Sequence, residues 1–263
     1  ASDTRRGKPA IHRRFENLHQ EHALAGLSEQ FGIAAAILLG DLALVQSDHM
    51  LHTSGISSTQ LLAALEIHDE MRIELMAGQY LDVREAGEKS FSVDRSLRIA
   101  RFKSGKYSIE RPLHLGAAIA LGSPSRDNPL NWKLSEYGLP LGEAFQLRDD
   151  LLGVFGDPEV TGKPAGDDLR EGKRTVLIAL TMQAVGKQER ELLTASLGDE
   201  GLDKTQILKL QEIISSSGAV AQVEKLITEL RDRAISALRD SQVETSILSV
   251  LEEMATIATQ RSL

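Results

Sequence analysis

Apolar residues recur at spacings of three and four along almost the whole sequence, and this period is typical of amphipathic helices. No segment alternates apolar and polar residues between turn-forming pairs, so the sequence predicts no sheet. Only 7 prolines interrupt the 263 residues, which favours long helices. The pattern therefore predicts an all-α fold. The expected helices are 11–24, 29–52, 59–86, 93–103, 106–121, 129–156, 174–184, 188–197, 204–216, 219–240 and 243–260.

The chain shows no internal division. It has no repeat of the length found in solenoid proteins and no low-complexity linker, so we expect one helical domain over residues 1–263. The helical rhythm stops only at 157–173, where three Gly and two Pro stand among eight charged side chains. Loops of this length in a compact helical domain are usually functional or disordered. Because hydrophobic helices flank this loop closely, we favour a functional loop.

Charge and composition exclude several classes of protein. A net charge of −8 argues against nucleic-acid binding, which needs clustered Lys and Arg. The sequence has no Cys, so it holds no disulfide and no thiolate metal site, which fits a reducing, cytoplasmic location. The longest apolar run, Ile33 to Val45, is broken by Gly40 and Asp41. It is shorter than the roughly 18 residues that a spanning helix needs, so we expect a buried helix and no membrane span.

The end of the predicted helix 129–156 carries two adjacent carboxylates. Gln146 precedes Asp149 and Asp150 by three and four residues, so the three side chains share one helical face. Adjacent carboxylates repel, and burying them unpaired costs several kcal/mol. Mg²⁺ resolves the conflict, because it typically takes one or two carboxylates together with water and substrate phosphate. The alternative is that both carboxylates simply face solvent near the helix end.

The loop after these carboxylates adds cations suited to phosphate oxygens, namely Lys163, Lys173 and Arg174. Across 145–175 the sequence has Phe-Gln-x-x-Asp-Asp, then Gly-Lys-Pro-x-Gly-x-Asp-Leu-x-x-Gly-Lys-x-Thr. This run resembles the second aspartate-rich region of the trans-isoprenyl diphosphate synthases, the polyprenyl synthetase family. The segment from Thr4 to Pro9 resembles the arginine pair that follows the family's first aspartate-rich motif. The resemblance covers essentially the whole chain.

The resemblance implies a helical bundle of the isoprenoid synthase type around a central cavity. It implies a Mg²⁺-dependent prenyltransferase of isoprenoid biosynthesis, with isopentenyl diphosphate and an allylic diphosphate (geranyl or farnesyl) as substrates and a homodimer as the assembly. Geranylgeranyl or a related chain is the implied product. Under it, Mg²⁺ would be held by Asp149, Asp150 and Asp168, the last acting through water or Lys. The substrate-binding residues would be Arg5, Arg6, Lys106, Tyr107, Gln146, Lys163 and Lys173.

The implied roles differ among these residues. Lys106, Gln146, Lys163 and Lys173 would hold the allylic diphosphate, which Arg5 would also touch. Arg6 would grip isopentenyl diphosphate. Tyr107 stands where the family usually has Thr, so the hydroxyl is present but its reach differs. Taken without the family, Lys106 fits a solvated basic face equally well.

Two departures from the family pattern matter. The second motif often has a third Asp four residues after the first, and this chain has Gly153 there. The first aspartate-rich motif would end just before Ala1, so we expect a longer natural protein with further N-terminal helices. A non-catalytic or regulatory subunit of a heteromeric prenyl diphosphate synthase is the alternative, and a terpene cyclase is a third possibility. The arginine pair and the Gly-Lys loop favour the elongating enzyme.

Overall fold

The structure is a computed structural model, and it describes residues 3–5, 7–88, 90–124, 128–157, 165–239 and 243–260. Helices dominate it, which confirms the predicted all-α class. The helices are α1 (Ile11–Glu21), α2 (Ser28–His52), α3 (Ser58–Ala86), α4 (Val93–Ala100), α5 (Arg111–Leu121), α6 (Pro129–Phe155), α7 (Asp167–Arg170), α8 (Val176–Ala184), α9 (Lys187–Ser196), α10 (Lys204–Ser216), α11 (Ala219–Arg239) and α12 (Thr245–Thr259). A π-helical segment, Arg101–Glu110, joins α4 to α5.

Most helix boundaries lie within three residues of the prediction, and the larger differences are in two places. The expected break near residue 104 is absent, because the chain runs on as the π-helical segment. The expected loop 157–173 contains the short helix α7, and residues 158–164 lie outside the described part. A small antiparallel hairpin, β1 (Thr4–Arg5) and β2 (Lys8–Pro9), corrects the prediction of no sheet. Two-residue strands are too short to show alternation in the sequence.

The chain forms two compact units. The first comprises Ala1–Ser57 with Asp157–Pro164, and the second comprises Ser58–Gly156 with Ala165–Leu263. In the first unit α1 packs on α2. Gly32 allows the close approach, since a Cβ there would lie only 3.1 Å from the backbone nitrogen of Glu16. The single domain over 1–263 stays a prediction.

Helix α2 is exposed rather than buried, contrary to the prediction for residues 33–45. It buries only Gly32, while Leu38 and Val45 are 69% and 60% exposed. Within the described residues, α2 alone is long and apolar enough to cross a membrane. One such helix is weak evidence for a membrane span, because core helices of soluble proteins meet the same criterion.

The core of the second unit forms around α6. Leu147, Leu151 and Val154 recur at helical spacing on α6 and pack with Val176, Leu177 and Ile178 of α8. Nearer the start of α6, Tyr137 and Leu141 pack against α11 and α12. These apolar contacts fix α6 along its length, so the polar side chains on its other faces are held in place.

Candidate functional site

The last turns of α6 place the two predicted aspartates in different surroundings. Asp150 is buried at 7% exposure, whereas Asp149 is exposed. Neighbouring residues on an α-helix point about 100° apart, so one carboxylate turns inward and the other outward. The Gln146 side chain donates a hydrogen bond from Nε2 to Asp150 Oδ1 at 2.7 Å. Gln146 therefore orients the buried carboxylate, one helical turn before it.

A buried hydroxyl extends this contact. The Ser104 hydroxyl, on the π-helical segment, donates to Gln146 Oε1. The two segments come close because neither Gly105 nor Gly142 has a side chain. A Cβ on Gly142 would lie 2.9 Å from the Gly105 carbonyl oxygen. The glycine pair thus allows a hydrogen-bonded chain from Ser104 through Gln146 to Asp150.

A third carboxylate and a lysine come from the segment after the loop. Asp168 on α7 is buried at 5% exposure. Its Oδ1 pairs with the Lys173 ammonium, which also lies 2.9 Å from Glu171 Oε2. The Lys173 backbone N–H donates to the Asp168 carbonyl at 3.0 Å. This tight turn explains why two residues five apart meet.

The charges of these groups act on one another. Burial raises the pKa of Asp150 to about 8, and the nearby negative charge of Asp168 adds to that rise, while the Gln146 hydrogen bond opposes it. Burial disfavours the charged form of Lys173, yet the carboxylates of Asp168 and Glu171 raise its pKa above the ordinary range. The site therefore has a permanent ammonium and more carboxylates than that ammonium can neutralise.

These donors fit Mg²⁺. A buried carboxylate with a second carboxylate close by and a raised pKa is stabilised in its charged form by an added cation. Among the residues that the structure describes, no three His, Cys, Asp or Glu side chains form a ready metal cage. Mg²⁺ needs none, since it keeps several waters and binds through one or two carboxylates and substrate phosphate. The predicted ligand set of Asp149, Asp150 and Asp168 stays a prediction.

Lys106 and Tyr107 lie in other surroundings. The Lys106 ammonium is 2.5 Å from Glu74 Oε1 and 3.6 Å from Glu110 Oε2, so its charge is already paired. Tyr107 is 41% exposed. The hydroxyl that contacts Gln146 belongs to Ser104, which the sequence analysis did not include. A sequence signal for it exists, because Lys103 and Ser104 form a second Lys–hydroxyl pair three residues earlier.

The remaining predicted residues belong to other parts of the chain. Arg5 is an exposed residue of β1, opposite Lys8 in the hairpin of the first unit. Arg6 and Lys163 lie outside the described residues. Their predicted contacts with diphosphate stay predictions.

Arg148 is another residue that sequence inspection missed. It is buried and makes a bidentate ion pair with Glu224 on α11, at 2.7 and 2.6 Å. Its Nε donates to the carbonyl of Thr259, the last residue of α12, at 2.8 Å. One side chain thus ties two C-terminal helices to the turn of α6 that carries the aspartates. The partners are 76 and 111 residues away in sequence, so no local pattern indicates them.

Comparison with known proteins gives a consistent result. The family model described as polyprenyl synthetase matches residues 1–214. Among solved structures, the chain is similar to geranylgeranyl pyrophosphate synthase from Corynebacterium glutamicum, solved in complex with isoprenyl diphosphate and magnesium. The two are 42% identical with a TM-score of 0.93, covering 99% of this chain and 72% of that chain.

Curated proteins give more distant matches. The chain is 34% identical over 200 residues to geranylfarnesyl diphosphate synthase of Aeropyrum pernix, covering 74% of this chain and 59% of that protein. It is 29% identical over 213 residues to geranylgeranyl diphosphate synthase of Sulfolobus acidocaldarius, covering 80% of this chain and 58% of that protein. The chain therefore spans less than two thirds of the length of these relatives.

Proposed function

Because the chain belongs to the polyprenyl synthetase family, we propose that the protein is a Mg²⁺-dependent prenyltransferase. It would join an allylic prenyl diphosphate to isopentenyl diphosphate by head-to-tail elongation, with a geranylgeranyl or related product. The observation that carries this proposal is the pairing of a buried, oriented carboxylate with a lysine fixed beside a second carboxylate. Asp150 with Gln146, and Asp168 with Lys173, provide that arrangement.

The proposed reaction depends mainly on stabilising the diphosphate leaving group. Ionising an allylic diphosphate leaves a carbocation and a diphosphate trianion, so rate depends on cations around the departing oxygens. Bound Mg²⁺ supplies charge neutralisation to that diphosphate. Asp149 and Asp150 would hold the metal, and Gln146 and Ser104 would keep Asp150 in one orientation. The released diphosphate can accept the proton that the elongated product loses, so no side-chain base is required.

Lys173 suits the diphosphate because it remains an ammonium at all working pH values. Its pKa is raised by two carboxylates although burial opposes the charge. We assign it to the diphosphate oxygens, and we assign the buried Ser104 hydroxyl to the support of Gln146. Lys106 is paired with Glu74 and Glu110, as Lys173 is with Asp168 and Glu171, so either lysine would share its ammonium between these carboxylates and the substrate.

We also propose a cytoplasmic homodimer in which α2 forms part of the interface. Exposed apolar patches of this kind mark contact with another protein surface. A membrane is a poorer partner for α2, because Asp41 lies in the middle of the helix and is exposed. An unpaired carboxylate at that depth is expensive in hydrocarbon.

A prenyl-transfer assay on the full-length protein tests the proposed function. It would use radiolabelled isopentenyl diphosphate, farnesyl diphosphate and Mg²⁺, with a chelator control and chromatography of the products. We expect elongation that the chelator stops, and the product length follows from the same experiment. Folded, full-length protein that elongates nothing would contradict the enzyme and support the non-catalytic subunit.

A further inference from the structure

Gly153 lies on α6 where the resemblance leads one to expect a third aspartate. It follows Asp149 by four residues and Asp150 by three, so position 153 lies about one helical turn further on, between the directions in which those two side chains point. A Cβ on Gly153 would overlap the carboxylate of Asp168. Even Oδ1, the most distant of the three carboxylate atoms, would be only 2.9 Å away. The Asp168 carboxylate therefore occupies the space that a side chain at 153 would fill.

Asp168 is held firmly in that space. It is 5% exposed, and its Oδ1 is paired with the Lys173 ammonium. The turn that carries it begins at Gly166 and ends at Gly172, with φ values of +71° and +68° that only glycine adopts readily. A Cβ on Gly172 would lie 2.9 Å from the Gly198 Cα, so the backbone at Gly198 packs directly against this turn. A side chain at 153 could not be accommodated by a simple rotation of Asp168.

We propose that Gly153 is a positioning residue: its missing side chain admits Asp168 from α7 to the carboxylate face of α6. The glycine therefore allows α7 to approach the part of α6 that carries Asp149 and Asp150. This inference rests on the proposed function, since Mg²⁺ with diphosphate is the ligand that needs these carboxylates. An aspartate at 153, although closer to the family pattern, would weaken this site.

The test compares three forms of the full-length protein: the parent, Gly153→Ala and Gly116→Ala. Gly116 is the matched control, because it also lies inside a helix of the second unit and a Cβ there meets nothing within 4 Å. Alanine is a better helix former than glycine, so neither change weakens its helix by propensity. Calorimetry would measure the binding of Mg²⁺ with inorganic pyrophosphate, and melting without ligand would measure stability.

We expect Gly153→Ala to weaken Mg²⁺-pyrophosphate binding by roughly tenfold to a hundredfold, as for other residues that orient metal ligands. Gly116→Ala should bind like the parent. A Gly153→Ala protein that binds as tightly as the Gly116→Ala protein would overturn the inference while leaving the proposed function intact. A folded parent that binds no Mg²⁺-pyrophosphate would instead count against the proposed function.

A second variant keeps the test decisive if Gly153→Ala does not fold. Gly153→Ala combined with Asp168→Gly removes the carboxylate that the new methyl group would meet. We expect the double variant to fold and melt close to the Asp168→Gly protein. If the double variant failed to fold although the Asp168→Gly protein folds, the overlap with Asp168 would not be the cause, and the inference would be wrong.

Gly153→Asp completes the comparison. It should bind Mg²⁺-pyrophosphate less tightly than the parent, because the added carboxylate displaces Asp168 and brings more negative charge to Asp150. In the double variant Gly153→Asp with Asp168→Gly, the Asp168 carboxylate no longer competes for this space. This variant should therefore recover part of the lost affinity for Mg²⁺-pyrophosphate. Gly153→Asp protein that binds more tightly than the parent would show that the face has room for both carboxylates, which the inference excludes.

Discussion

Helices α2 and α6 are similar in length and in apolar character, yet α6 is largely buried and α2 is exposed. Both are long, apolar and interrupted by aspartate, and residues 33–45 of α2 were expected to be buried. Helix α6 buries residues along its whole length, including Asp150 and Arg148, and gives each of these two a partner. Helix α2 buries only Gly32 and leaves Leu38 and Asp41 exposed.

The difference shows what hydrophobic period can predict. It identifies a helix because the period belongs to the helix itself. It does not identify what covers the helix, because burial depends on surfaces supplied from elsewhere. A buried polar side chain needs a hydrogen-bond partner. The buried polar residues of α6 therefore indicate which surfaces cover that helix, whereas the exposed polar residues of α2 need no such partner. The two helices should therefore respond to substitution in different ways.

The largest expected effect concerns the exposed aspartate of α6. Asp149→Ala should lower the turnover of the full-length protein by about a hundredfold or more, because a carboxylate that holds the leaving group's metal is lost. Melting should be little changed, since Asp149 is exposed. Steady-state kinetics with varied Mg²⁺ measures the effect, with Glu191→Gln on the surface of α9 as the control. A folded variant with a near-normal rate would remove Asp149 from the site.

Arg148 should give the largest effect on stability. Arg148→Ala removes the bidentate partner of Glu224 and the donor to the Thr259 carbonyl. Breaking a buried pair costs about 3 kcal/mol or more. Glu224 is 38% exposed, and water can solvate it, so we expect about 2 kcal/mol.

Urea unfolding measures that loss. Arg231→Ala is the control, because Arg231 pairs with its exposed neighbour Asp232. The control should cost less than about 0.5 kcal/mol. Equal losses of unfolding free energy in the two variants would show that the buried Arg148 stabilises α6 no more than a surface arginine does. The contrast between α6 and α2 would then weaken.

The same contrast explains how much of the site the sequence could predict. Gln146 and Asp150 are four residues apart on one helix, so their contact follows from helical geometry. Ser104 meets Gln146 from 42 residues away, through the close approach of Gly105 and Gly142. No local spacing encodes that approach. The sequence analysis instead names Lys106 and Tyr107, three residues after Lys103 and Ser104, and their role stays a prediction.

The all-α class and the family were accessible for a different reason. Helical period is a local property, and the run over 145–175 has some ten residue types fixed in order. The position of Asp168 against Gly153 was not accessible, because it depends on how the turn around α7 folds back on α6. The exposure of α2 was missed because hydropathy does not identify the covering surface.

The third prediction tests α2 as an interface between two copies of the chain. Leu38→Glu places a charge on an exposed apolar face, where it should raise the dissociation constant of the dimer about tenfold or more. The control is Ile257→Glu, on the exposed face of α12. Light scattering over a range of concentrations gives the mass of each variant. A Leu38→Glu protein that remains a dimer at the parent's concentrations would move the interface away from this part of α2.

The smallest expected effect concerns a buried histidine that contacts α6. His114 on α5 lies 3.1 Å from both the Asn131 carbonyl and the Ser135 hydroxyl, and its Nδ1 is 3.2 Å from Arg111. Burial lowers the pKa of His114 below its usual value of 6.5, and the Arg111 charge acts in the same direction while Glu110 opposes it. The folded protein therefore keeps a neutral imidazole where the unfolded chain would take up a proton.

The sign of the pH dependence follows from that difference. Because the unfolded state binds more protons, stability should fall as pH drops below about 6.5. His114→Gln cannot titrate, so its melting temperature should change less between pH 7.5 and about 5.5 than that of the parent, by a few degrees. Melting scans in matched buffers measure the difference. Parallel curves for the two proteins would mean that the α5–α6 contact accepts a charged imidazole. In that case the buried surface of α6 would tolerate an added charge as readily as the exposed surface of α2.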